Sequence, residues 1–247
     1  MQGRLRTTAR LFFGNCLPKI AYPVIVGPLR GAKFILGALA GKGGGATVYF
    51  NMLETEQTSA FAAVLKKEQV FFDVGANVGL YSILGSRLVG AGGKVIAFEP
   101  VVKNLAYLYR HTVLNRSQNV SIISAACSDT VSLSAFAAGP TSAEGHLLNG
   151  KTSADDFFLV PTLTVDAVAQ KLGLMPDVIK IDVEGAELAV LLGARSTLQQ
   201  GKPKIFLSTH SDELRLSCLN YLAGLGYAAE VLSLDKDNPS EFLMQHP

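Results

Sequence analysis

Three groups of residues carry the chemistry open to this sequence. The first is Asp73-Val74-Gly75-Ala76-Asn77-Val78-Gly79, followed by Glu99, 20 residues beyond Gly79. Glycines at such a bend let the backbone approach a ligand closely. An acid at the end of the next strand accepts hydrogen bonds from both hydroxyls of a ribose. The pattern is that of a nucleoside-binding loop, against the plainer alternative of a tight turn. The second group is Lys180, Asp182 and Glu184. On a strand these alternate positions share one side, so the three charges act together. The third is His210, suited to general-base work near neutral pH or to metal ligation.

The glycine pattern separates two classes of nucleoside. A dinucleotide fingerprint needs Gly-x-Gly-x-x-Gly; counted from Gly75, the second and third glycine positions hold Asn77 and Leu80. Asp73 also opposes a pyrophosphate, which prefers free helix N–H groups and no carboxylate nearby. The same charge suits a donor with a cationic sulfonium and an ammonium, S-adenosylmethionine. Asp129, in Cys127-Ser128-Asp129, is placed to take the adenine amino group or simply to form a turn.

These residues need a scaffold of strand ends. From Val70 onward, apolar runs of strand length alternate with helical stretches, the signature of a parallel sheet with crossover helices. Strands are expected at 70–72, 94–98, 120–126, 178–182 and 204–207, with two late ones at 227–232 and 241–244. A hairpin arm is expected at 131–136 and a short strand at 47–50. Helices are expected at 58–66, 80–89, 101–114, 163–172 and 186–192, and one N-capped by Ser211 with Asp212 and Glu213 in its first turn. This is a doubly wound α/β sheet, whose ligands sit beyond the carboxyl ends of the strands. The polar stretch 139–158, with Glu144, His146, Asp155 and Asp156, is long enough for a lid. His111, His146 and His246 receive no chemistry.

The chain has 247 residues, 49% hydrophobic and 17% charged, with a net charge of +2. That composition excludes a disordered chain. Cys16, Cys127 and Cys218 are scattered, so neither a disulfide framework nor a Cys-x-x-Cys zinc site is expected. Seven basic residues and no acidic one precede Glu54. We divide the chain into a basic N-terminal extension, 1–45, broken from the domain by the glycines at 41–45, and a catalytic domain, 46–247. The extension reads as a solvated arm or a weak membrane-surface contact. No apolar run approaches the ~18 residues of a membrane span, and the expectation is a cytoplasmic protein. The charge balance gives no nucleic-acid signal, and no basic stripe lies beyond the leader.

Three blocks carry a family resemblance: Phe72 through Gly79, Ala97-Phe98-Glu99-Pro100, and Ile179-Lys180-Ile181-Asp182-Val183-Glu184-Gly185-Ala186-Glu187. They resemble the FkbM-type S-adenosylmethionine-dependent methyltransferases, of class I, over roughly residue 31 to the C-terminus. The segment 49–57, with Glu54 and Glu56, resembles the one preceding the glycine loop in that family. The resemblance implies a mostly parallel, Rossmann-like sheet of seven strands with a reversed last strand. It implies S-adenosylmethionine as methyl donor and a hydroxyl acceptor such as a sugar or natural-product alcohol. One position departs: Ser208 stands two residues before His210, where the family often carries a Glu.

Methyl transfer to an alcohol requires the acceptor oxygen to be held against the donor methyl and its proton to be removed. The expected cofactor residues are Asp73, Gly75, Asn77, Gly79, Glu99 and Asp129. Asp182 is expected as base or acceptor-orienting group. Glu184 binds the acceptor or, with Asp182, a divalent metal. Lys180 lowers the acceptor pKa or neutralises Asp182, and His210 is base or ligand. The alternative for Lys180, Asp182 and Glu184 is a salt bridge capping a strand end. The alternative for the whole chain, kept open by Ser208, is a non-catalytic cofactor-binding or scaffold protein.

Overall fold

In a computed structural model the described residues are 17–38, 46–52, 54–137, 146–147 (backbone only), 157–233, 235 and 237–247. Arg4, Arg6, Arg10, Cys16 and Lys42, the glycine break at 41–45, and Glu144, Asp155 and Asp156 of the expected lid lie outside them. Strands β1 (Ala21–Pro23) and β2 (Lys33–Ile35) pair antiparallel, and a 3-10 turn covers Ala46–Phe50. Then follow α1 (Thr55–Val64), β3 (Val70–Val74), α2 (Leu80–Val89), β4 (Lys94–Phe98), α3 (Val102–Leu114) and β5 (Val120–Ile123). A side sheet is formed by β6 (Ala126–Cys127), β7 (Ser132–Ala137), β8 (His146–Leu147) and β9 (Phe157–Leu163). The chain continues through α4 (Val165–Leu172), β10 (Val178–Ile181), α5 (Glu187–Leu192), α6 (Arg195–Gly201), β11 (Lys204–Ser208), α7 (Asp212–Gly224), β12 (Ala228–Val231) and β13 (Glu241–Gln245).

The main sheet has seven strands in the order β12-β13-β11-β10-β3-β4-β5. All run parallel except β13, which is antiparallel to both β11 and β12. Both faces are covered, which is why its central strands read as largely apolar runs, with only Asp73 in β3 and Lys180 in β10 breaking them. Phe71, Val95, Val178 and Phe206 face α1 and α2, against Phe61, Ile83 and Leu84. Phe72, Val74, Ile96, Ile179, Ile181 and Leu207 face α4–α7, against Val168, Val190, Leu198 and Leu222. The order places the carboxyl ends of β3, β4, β10 and β11, and with them Gly75, Asn77, Glu99, Asp182, Glu184 and His210, along one edge.

Residues 17–38 pack into this core. Val24, Phe34 and Leu36 are buried with Phe61 and Phe71. Backbone N–H groups of Lys33 and Ile35 donate to Asn115 Oδ1 (2.8 Å), just past the end of α3, and to His111 Nε2 (3.0 Å) on α3. His111 Nδ1 lies 2.6 Å from the Val78 carbonyl, so the ring has a structural occupation.

One local expectation is corrected, one is borne out with an unforeseen partner, and one element is new. The apolar run at 47–50 is a 3-10 turn rather than a strand; it pairs with no sheet edge and closes on itself through Met52 N to Thr47 O (3.0 Å). The expected arm at 131–136 is a strand, but its main partner is β9, which sequence reading left in a loop and at a helix start. Pro161 disguises β9, since proline removes a ladder donor. It is tolerated because β6 reaches only Thr162 and Leu163, leaving β9 with a partner on one side at Pro161. Helix α6 was not expected at all.

Candidate active site

The bend after β3 is fixed by the strand beside it. Gly75 has φ +84°, and a Cβ there would lie 1.9 Å from the carbonyl oxygen of Asp182. The β10 exit therefore passes directly over the loop, binding the first two groups of candidate residues into one site. Asn77 takes a left-handed conformation, φ 51°, which its short amide tolerates. Its N–H donates to Glu99 Oε2 at 2.7 Å. Gly79 caps α2.

Glu99 ends β4 and is nearly buried. Its Oε1 accepts from Val101 N (2.8 Å) and Asn104 Nδ2 (3.3 Å). Burial pushes its pKa from 4.5 to about 7, against the pull of the Val101, Asn77 and Asn104 donors and with a further push from Asp73. A cleft opens here, walled by Gly75, Asn77, Glu99, Phe136, Asp182 and Glu184. Phe98, Val101, Ala126, Cys127 and Val183 give it an apolar side.

Three expected cofactor residues do not line the cleft: Gly79, which caps α2 against Leu108, Asp73 and Asp129. Asp73 does not reach the cleft. Alternation on β3 pairs it in register with Lys180, and its Oδ2 accepts from Ser82 Oγ at 2.5 Å. Its pKa rises to about 6, through burial opposed chiefly by Lys180. Asp129 is exposed, beside Ser128 Oγ (3.2 Å), and does not line the cleft. Sequence reading missed Phe136 and Asn104. Phe136 arrives from the side sheet, and no local signal marks it; Asn104 sits one helical turn past the Glu99 corner.

The second and third groups of candidate residues meet at the ends of β10 and β11. Lys180 is buried, with Nζ 2.7 Å from Asp182 Oδ2 and 4.6 Å from the centre of the Tyr81 ring. Burial alone would lower its pKa, but Asp182, Glu54 and Asp73 raise it. Asp182 shows the converse: burial raises, yet Lys180 and His210 hold it below the ordinary carboxylate value. Glu184 follows in a left-handed turn, φ 53°. His210 Nε2 faces both acids, 3.5 Å from Asp182 Oδ1 and 3.3 Å from Glu184 Oε2. Its Nδ1 lies 2.7 Å from Glu187 Oε1, on a side chain buried at the start of α5. The Glu187 hydrogen bond, with Asp182 and Glu184 beyond it, raises the His210 pKa against the effect of burial. Lys180, Asp182, Glu184 and His210 are thus brought together. Glu187 is the member that sequence reading left without a role, although it closes the third resemblance block.

Ser208 lies beneath this rim and accepts from Gln57 Nε2 at 3.3 Å. Across the sheet its register partner is Glu241 of β13. Burial pushes the Glu241 pKa to about 7, with Glu54, Asp182 and Glu56 adding to it and Lys180 opposing. A carboxyl group therefore stands next to the departed position, on the neighbouring strand. Glu54 contacts Tyr81, whose hydroxyl lies 2.7 Å from Glu54 Oε2 and 2.5 Å from Gln57 Oε1, while Glu56 is exposed.

A family model described as the methyltransferase FkbM domain matches residues 73–228. Solved structures similar to this chain include a methyltransferase FkbM from Methylobacillus flagellatus KT, with a TM-score of 0.53 and 20% identity over 81% of this chain and 54% of that one. They also include a precorrin-6y C5,15-methyltransferase from Geobacter metallireducens GS-15, at 0.51 and 16% over 78% and 87%. A putative rRNA-methylase from Clostridium thermocellum is similar at 0.51 and 12% over 75% and 89%. The chain spans about half the length of the first of these. No curated protein matches it. At such identities the likeness is one of fold, and the seven-stranded sheet with one reversed strand is the class I methyltransferase sheet. Among the described residues no helix is long and apolar enough to cross a membrane.

Proposed function

Because this chain belongs to the FkbM methyltransferase family, we propose that it transfers a methyl group from S-adenosylmethionine to a hydroxyl oxygen of a small molecule, such as a sugar or natural product. The observation that carries this reading is the shared cleft: Glu99 forms one wall, and Asp182 with Glu184 forms the other. The residues present fit the donor. Of about four lone-pair sites on the Glu99 carboxylate, backbone and amide donors take three, leaving Oε2 able to accept from a ribose hydroxyl. Phe136, Ala126 and Cys127 supply an apolar wall for a base. The selection for a cationic donor passes from Asp73 to Asp182 and Glu184, the acids that do line the cleft, and these repel phosphate-bearing rivals.

When bound, the donor supplies an electrophilic methyl carbon on a positive sulfur. The chain's part is to hold the acceptor oxygen in line with it, worth several orders of magnitude in rate, and to receive the hydroxyl proton. Asp182, Glu184 and His210 form the receiving rim, and Glu187 keeps the imidazole turned toward it. Lys180 holds one oxygen of Asp182, leaving Oδ1 facing His210.

Calorimetry with S-adenosylhomocysteine tests the donor half. Saturable binding by the full chain, lost in Glu99→Ala, is expected; no binding by the unsubstituted chain ends the proposal. A methyl-release assay over mixed sugars and alcohols then tests turnover. Binding without turnover on any acceptor would favour the non-catalytic alternative.

A further inference from the structure

We infer that Asp182, Glu184 and His210 form a divalent-cation site, kept in shape by Glu187. One ligand atom from each of the three lies within 4.8 Å of the others. The spacing argues for an ion rather than a plain ion pair. A charge-assisted N–H···O bond closes to ~2.8 Å, yet His210 Nε2 stands 3.5 Å from Asp182 Oδ1 and 3.3 Å from Glu184 Oε2. Two oxygens share one nitrogen, and neither comes to bonding distance. Donors in adjacent positions around a cation with bonds of ~2.1 Å sit ~3 Å apart, so small side-chain shifts suffice.

The other ring nitrogen supplies an independent reason. Nδ1 is taken by the Glu187 carboxylate at 2.7 Å, which directs Nε2 forward. A carboxylate behind a histidine is the usual support of a metal-ligating imidazole, and it raises the basicity of the ligand. Glu187 is fully buried, and among the described residues its Oε2 has no hydrogen-bond partner.

Two carboxylates and one imidazole suit Mn²⁺ or a similar first-row ion; Mg²⁺ prefers oxygen alone, and thiolates are absent from the set. Asp182 and Glu184 also line the cleft, so the open coordination positions face the place proposed for the acceptor. There the cation would lower the pKa of a coordinated hydroxyl, and with the ion bound its proton would leave to water, since His210 Nε2 and the two carboxylates would then be ligands rather than the proton's receivers. That role rests on the methyltransferase reading; the binding of the ion does not.

The test is Mn²⁺ binding to the full chain after chelator treatment, followed by the electron paramagnetic resonance signal of free Mn²⁺. One ion per chain is expected, with affinity falling at least tenfold in Glu184→Gln. Glu187→Gln, a positioning change, should weaken binding about tenfold. Glu184 is half-exposed, so Glu184→Gln should fold; circular dichroism checks this, and His210→Gln is a second variant. Absence of saturable Mn²⁺ binding, or affinity unmoved by both Glu184→Gln and His210→Gln, overturns the site. Mn²⁺ binding without S-adenosylhomocysteine binding would sink the methyl-transfer reading and leave the cation site standing. The reverse result would do the opposite.

Discussion

Glu187 Oε1 lies 2.7 Å from His210 Nδ1 although the two residues leave different strands, Glu187 opening α5 after β10 and His210 following β11. The same oxygen accepts from Gly185 N at 3.1 Å, so the carboxylate also ties down the turn that carries Glu184. One buried side chain thereby sets the direction of both neighbours of Asp182.

In the metal-free protein this bond raises the His210 pKa above its ordinary 6.5. A histidine whose folded pKa is raised stabilises the fold fully below its unfolded pKa and loses that contribution as pH rises through the folded one. Glu187→Gln should bring the His210 titration, followed by NMR, back toward 6.5 and flatten this part of the stability profile. Turnover should fall about 10- to 100-fold with S-adenosylhomocysteine affinity unchanged. An unmoved titration would remove the orienting role.

Glu99 predicts a proton signature for donor binding. Its folded pKa of about 7 exceeds the ordinary 4.5. The ligand-free fold therefore keeps a contribution below pH 4.5 that is lost as pH rises through 7. Ribose hydroxyls donate best to the ionised carboxylate, so binding near pH 7 should release protons. Calorimetry with S-adenosylhomocysteine in buffers of different ionisation enthalpy reads this directly, and affinity should strengthen with pH. Glu99→Gln should abolish the release and weaken binding about 10- to 100-fold, the loss of charge-assisted bonds worth about 1.5–3 kcal/mol. Identical heats in all buffers would detach Glu99 from the donor.

The sheet and its edge were legible because both faces of β3, β4, β10 and β11 are buried, so their runs are mostly apolar, broken only by Asp73 within β3 and Lys180 within β10 and by lysines at the starts of β4 and β11. The residues gathered at that edge, Asp182, Glu184 and His210, were legible for the same reason. What escaped depends on remote partners. Helix α6 is capped by Asp166 of α4, whose carboxylate accepts from Ser196 N (2.9 Å) and Thr197 N (2.8 Å); no cap stands beside it in sequence. Strand β9 hides behind Pro161, and Phe136 enters the cleft from another sheet. Asp73 was legible as an acid before a bend, but its direction was not: the register with Lys180 decides that it points under the sheet rather than into the cleft.

Lys180 neutralises two acids, Asp182 by contact and Asp73 across the strand pair. Lys180→Met should leave Asp73 buried without its cation and cost about 3–5 kcal/mol at pH 8. Protonation of Asp73 relieves this in acid, so the loss at pH 5 should be smaller. Urea unfolding at both pH values gives the comparison, and Asp73→Asn in the Lys180→Met background should recover part of the loss at pH 8. Equal losses at the two pH values would mean that Asp73 does not depend on Lys180.

The closeness of the β10 exit to the glycine bend can be separated from the backbone conformation itself. Gly75 and Gly173 both have positive φ, +84° and +62°. A Cβ at Gly75 would lie 1.9 Å from Asp182 O, whereas one at Gly173, after α4, meets nothing within 4 Å. Gly173→Ala carries the left-handed penalty alone, about 1–2 kcal/mol. Gly75→Ala adds an overlap with backbone that cannot turn aside, about 1–3 kcal/mol or more, and must push the β3 and β10 ends apart. Urea midpoints should rank Gly75→Ala well below Gly173→Ala. Any folded Gly75→Ala should also lose S-adenosylhomocysteine binding, because Asn77 and Asp182 move away from each other. Equal stability losses in the two variants would show that the exit of β10 does not cross the bend, and the wall that joins Glu99 to Asp182 would have to be drawn elsewhere.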